Sequence, residues 1–127
     1  MKILGIDYGE KRIGIAVSDE TGSLARELDI LSPKEFFKNI RQIIKDNEVG
    51  EIVVGWPLNM SGEETQKTKE VRDFKEELGV VTNVPVHTMD ERLSSQMAQN
   101  LPGGNRNVDS LAAQIMLQNY LNKKANQ

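Results

Sequence analysis

The sequence predicts an α/β domain built on a mixed sheet, three antiparallel strands followed by strand-helix units, with helices on both faces. Three observations carry this reading. Three short apolar segments split by turn signals fill the first thirty or so positions, a proline-led helical pattern follows them, and two later apolar runs alternate with further helical patterns. At 127 residues the chain is long enough for one core and too short for two, so a single domain spanning 1–127 is expected.

Lys2 to Asp7 and Ile13 to Asp19 are dense in apolar residues and flank the turn Gly9-Glu10-Lys11-Arg12, which is the pattern of a hairpin. After the turn signal Glu20-Thr21-Gly22-Ser23, Leu24 to Leu31 completes an antiparallel meander. Ser32-Pro33-Lys34-Glu35 supplies an N-cap serine, a proline at the first helical position and a capping-box glutamate. Phe36, Phe37, Ile40, Ile43 and Ile44 recur behind it at helical spacing, so a helix to about Asn47 lays one apolar stripe on the sheet.

Glu51 to Trp56 is an apolar run stopped by Pro57, as expected of a buried central strand. A loop follows from Leu58 to Gly62. Ser61 and Glu64 are spaced as a second capping box, opening a helix to about Leu78 that buries Val71, Phe74 and Leu78 and solvates the rest. Val84 to Met89 reads as a strand whose early proline suits a strand start or an edge. A short helix from Ser94 to Asn100, broken by Pro102-Gly103-Gly104, and a final helix from Val108 to Asn122 close the pattern.

Composition narrows the chemistry. With 38% hydrophobic and 28% charged residues, the chain has an ordinary globular balance. There is no cysteine, which excludes disulfides, thiolate metal sites and cysteine nucleophiles, and His87 is the single histidine. The apolar run after Met1 is interrupted by Asp7 before it could form a signal core or a membrane span, so no membrane partner and a cytoplasmic location are the default expectations. A net charge of −3 argues against holding nucleic acid by bulk attraction. It argues less against a nuclease, whose clustered carboxylates present a positive site once cations are bound.

Three carboxylates fall where such a site forms. Asp7 ends the first strand, Glu91 closes the late strand, and Asp109 lies in the first turn of the last helix, whose positive end favours an anion. Singly, a turn aspartate, a surface glutamate paired with Arg92 and a helix-start aspartate are equally good readings. Brought together, three acids repel unless divalent cations such as Mg²⁺ (or Mn²⁺) lie between them, and two such ions about 3.5–4 Å apart can activate water and stabilise a leaving phosphate oxygen.

The segments Gly5 to Gly9 with Lys11 to Asp19, Val54 to Gly62, Asp90 to Ser94 and Val108 to Ala113 closely resemble the YqgF (RuvX) family, in that order and over nearly the whole chain. The resemblance implies a ribonuclease H-like fold related to the RuvC resolvases, and a nuclease that matures the 5′ end of pre-16S ribosomal RNA. It implies metal-binding, catalytic acids at Asp7, Glu91 and Asp109, with Asp90 as an adjacent reserve. The alternatives are a Holliday junction resolvase acting on branched DNA and a non-catalytic nucleic-acid or protein-binding module. A resolvase should be a two-fold dimer, and a monomer or weak homodimer is expected here. Actin-like phosphotransferases share the opening strand aspartate and hairpin, but they need two such domains.

Lys11, Arg12 and Arg92 flank the acids and are the expected phosphate contacts. Asn59, in a loop bounded by Gly55 and Gly62, is the polar group expected at the substrate groove. His87 is expected to be structural or superficial, Trp56 to belong to the core, and Tyr8 either to pack or to stack on a base. Between Ser94 and Val108 the chain is shorter and less basic than the family pattern, which predicts weaker phosphate binding and a shallower salt dependence.

Overall fold

The computed structural model describes residues 1–90 and 108–126, and in the last helix the side chains from 111 onward. β1 (Lys2–Asp7), β2 (Ile13–Ser18) and β3 (Ala25–Leu31) form the meander, α1 (Pro33–Asp46) leads to β4 (Val49–Trp56), α2 (Gln66–Val81) to β5 (Val86–Asp90), and α3 (Val108–Ala125) closes the described chain. The sheet order is β3-β2-β1-β4-β5, antiparallel on the β3 side of β1 and parallel on the other. β1, β4 and β5 therefore point their carboxyl ends to one edge.

Side chains alternate across this sheet between two cores. Leu4, Ile6, Ile13, Ile15, Val17, Ile52 and Val54 meet Phe36 and Ile40 of α1 and Val71, Phe74 and Leu78 of α2. Ile3, Ala16 and Val53 on the opposite face meet Ala113, Met116, Leu117 and Leu121 of α3. Each fully buried Ile, Leu or Phe contributes about 1.5–3 kcal/mol. Helices thus cover both faces, as the alternating pattern requires.

Glycine at position 5 lets α3 come down onto β1. A Cβ there would stand 2.8 Å from Leu117 Cβ, closer than packed carbons tolerate. α1 starts where its sequence says: Glu35 N–H donates to Ser32 Oγ (3.2 Å), while Ser32 N–H approaches Glu35 Oε1 (3.5 Å).

Several boundaries move for physical reasons. β4 begins two residues before Glu51, because Val49 pairs with Lys2. β5 begins after Pro85, which has no N–H to give the ladder and contributes only its carbonyl, accepting from Ile52 N–H (2.9 Å). The capping box at Ser61 and Glu64 does not form. Asn59 Oδ1 instead accepts from Ser61 N–H (3.0 Å) and Glu63 N–H (2.9 Å), Gly62 takes the left-handed φ of 84°, and Leu58 bridges Glu64. α2 starts at Gln66, with Thr65 N–H donating to Thr68 Oγ1 (2.9 Å). The helix read at Ser94 to Asn100 lies outside the described residues. Among the described residues no helix is long and apolar enough to cross a membrane.

Candidate active site

Asp7 is the last residue of β1, the middle strand of the sheet, and is only 8% exposed. It shares a face with Ile3 and Gly5, the face that α3 covers. Ile6 pairs with Val54, and Val54 with Thr88, so Asp7 stands level with Gly55 and Met89 at the carboxyl edge. Its strand ends there because Tyr8 and Gly9 turn away into the hairpin.

α3 runs antiparallel to β1. Its later turns are tied to the amino end of the sheet: Ala25 N–H donates to Gln118 Oε1 (2.9 Å), and the Tyr120 hydroxyl donates to Glu51 Oε2 (3.1 Å), with Glu51 paired to Ile3. Leu117 sits over Gly5. From there the helix rises about 12 Å to position 109 while β1 advances about 7 Å to Asp7. The first turn of α3, where Asp109 stands, therefore lies beyond the end of β1 at the same edge as Asp7. The N-terminal end of a helix carries a positive field that favours anions.

Glu91 and Arg92 follow β5 directly and lie outside the described residues. Asp90 ends β5, and its neighbours show the alternation: Val86 packs against the α1/α2 core, Met89 against the α3 core. Position 90 is in register with Val86, on the sheet face opposite that of Asp7. Lys11 and Arg12 are exposed in the β1–β2 turn, at the edge that Asp7 occupies. Asn59 is exposed on the β4–α2 loop, also at that edge, but its carbonyl oxygen is spent on the loop itself.

The loop carrying Asn59 is tied at both feet. Thr68 Oγ1 donates to the Pro57 carbonyl, and Arg72 both pairs with Glu64 and lies over the Trp56 ring, 5.4 Å from its centroid. Trp56 is partly buried on the α1/α2 core, and Tyr8 packs on Phe74 with centroids 4.6 Å apart, on the face away from α3. Sequence reasoning missed these ties; the Thr65-x-x-Thr68 spacing is the one local signal that could have found the true helix start.

His87 is half exposed and serves a structural network at the other end of α3. Glu51 accepts from Lys124 Nζ (2.5 Å) and Tyr120 Oη (3.1 Å), with His87 Nε2 3.3 Å away. Partial burial would raise the Glu51 pKa, but hydrogen bonds from Lys124 and Tyr120 and the charges of Lys124 and His87 hold it below the ordinary glutamate value. A carboxyl with a lowered folded pKa adds stability in full above its unfolded pKa and loses it as pH falls through the folded value. Between about pH 6 and pH 3, the melting temperature of the wild type should therefore drop more steeply than that of Glu51→Gln. Parallel profiles would show that the network carries no charge-dependent stability.

At the Asp7 edge the protein donors are oxygens, since the chain has no cysteine and its one histidine is engaged beside Glu51. Such a donor set suits hard divalent cations of the Mg²⁺ or Mn²⁺ kind. Among the described residues no three acids or histidines stand together as a metal site; the Glu91 and Asp109 side chains are not among them.

Sheet order β3-β2-β1-β4-β5 with a helix layer on each face is the ribonuclease H-like topology of the RuvC-type nucleases. RuvC from Thermus thermophilus, bound to a Holliday junction substrate, superposes with a TM-score of 0.61 over 98% of this chain and 96% of its own at 16% identity. The fowlpox virus Holliday junction resolvase gives 0.54 over 97% and 99% at 12% identity. The chain belongs to the RuvX (YqgF) family: the family described as "RuvX: Holliday junction resolvase" matches residues 1–123. Relatives named "Putative pre-16S rRNA nuclease" are 37% identical in Maridesulfovibrio salexigens, covering 95% of this chain and 98% of the relative, and 38% identical in Thermoanaerobacter pseudethanolicus, covering 99% of each.

Proposed function

We propose that the chain is a divalent-metal-dependent nuclease that hydrolyses phosphodiester bonds, with the 5′ end of pre-16S ribosomal RNA as its substrate. The observation that carries the reading is the nearly buried Asp7 at the carboxyl end of the middle strand, at the same edge as the first turn of α3 with Asp109. Asp90, the last residue of β5, lies on the sheet face opposite that of Asp7, which is why Glu91 rather than Asp90 is taken as the third acid.

Asp7, Glu91 and Asp109 would hold Mg²⁺ or Mn²⁺, which supplies an activated water and charge stabilisation at the phosphate. Lys11 and Arg12 at the hairpin, with Arg92, would fix the backbone of the substrate, and Asn59 would border its path. The names of the relatives support ribosomal RNA over other substrates. A second reading, a junction resolvase, is favoured by the family description and would require two copies acting as a two-fold pair.

The deciding experiment is a substrate panel in Mn²⁺: 5′-extended 16S precursor RNA, single-stranded DNA and four-way DNA junctions. Metal-dependent cleavage of the RNA is expected. Cleavage of junctions without RNA would establish the second reading, and no cleavage of any substrate in Mg²⁺ or Mn²⁺ would overturn both.

A further inference from the structure

On the sheet face away from α3, the surface between α1 and α2 sinks into a groove of about 530 Å³. Its floor is aromatic: Tyr8 and Phe37 pack on Phe74 at centroid separations of 4.6 and 5.6 Å. Its α2 wall presents Glu70, Asp73 and Glu77, which share one helical face with Phe74. None of these three carboxylates forms an ion pair among the described residues, whereas Glu64 nearby is paired to Arg72. Lys34 of α1 is the one cation in the lining.

We propose that this groove docks an arginine-bearing segment of a basic protein partner. A planar guanidinium can lie on the Tyr8 and Phe37 rings while its N–H groups reach the carboxylates of α2, a combination that fits arginine better than lysine. The same carboxylates repel phosphate, so a nucleic-acid strand held at the Asp7 edge does not run through the groove. The partner is thus of the basic class that itself rides on nucleic acid, and the docking stands whether or not the chain cleaves RNA.

Binding of defined peptides provides the test. A labelled peptide of three arginines spaced by glycine should bind at least tenfold more tightly than its citrulline counterpart. Glu70→Gln, Asp73→Asn and Glu77→Gln together should cost at least tenfold in binding, and Asp73→Asn alone a smaller loss. Glu20→Gln, Glu27→Gln and Asp29→Asn, matched in charge on the β2–β3 side, should cost less than twofold. Equal losses in the two triple variants would reduce the effect to bulk charge and overturn the proposal. So would spermine binding more tightly than the peptide, or self-association of the wild type abolished by the groove triple.

Discussion

Asp7→Asn is expected to reduce metal-dependent cleavage by roughly 10²–10³-fold or more, the range seen when one preorganised electrostatic group is removed from a reacting centre. The substitution keeps volume nearly constant at a position only 8% exposed, so the fold should survive. Thermal melts separate the two effects without an activity readout. Wild type should melt higher in saturating Mn²⁺ than in chelator, because an ion that binds only the folded state stabilises it. The mutant should lose most of that increment and melt no lower than wild type in chelator, since relief of like-charge repulsion offsets a lost hydrogen bond. A full Mn²⁺ increment in Asp7→Asn, or unchanged cleavage, would remove Asp7 from the site.

Gly5→Ala should be the more damaging change to the fold. The new methyl carbon would meet Leu117 Cβ at 2.8 Å, an atom so near the α3 backbone that no side-chain rotation relieves the contact. Overpacking of this kind costs about 1–3 kcal/mol, which for a chain of this size lowers the melting temperature by roughly 3–12 °C. Because the same helix carries Asp109 towards the Asp7 edge, cleavage should fall by more than the loss of folded protein explains, measured well below the melting temperature. Wild-type stability in Gly5→Ala would mean that α3 does not seat on β1 at this residue.

The two variants differ in how visible their reasons are in the chain itself. Asp7 could be picked out as a candidate from the sequence, because it ends an apolar strand and Glu91 and Asp109 fall at comparable positions, although alone it reads equally well as a turn aspartate. Gly5 could not, since nothing near it in sequence announces Leu117, more than a hundred positions away. The same division recurs. Ser32 and Glu35 closed their capping box as spaced, because every partner lies within one turn. Ser61 and Glu64 had the same spacing and failed, because Asn59 captured the loop N–H groups first and Gly62 left the helical region. His87 found its acid in Glu51, which the sheet register and α3 bring together and no local pattern reveals.

The sequence by itself determined the order of the described elements, the two-faced apolar patterning that forces a covered sheet, the candidate acids, and membership in a family whose motifs span the chain. These follow from local forces, hydrophobic period and turn chemistry, that act over a few residues. Only the tertiary structure decided which way α3 runs, which face Asp7 shares with it, that Asp90 lies on the other face, and that α2 turns three carboxylates onto an aromatic floor. Those outcomes depend on strand register and helix packing, where a shift of one residue reverses every side chain, and that information is held in contacts between distant segments rather than in any one of them.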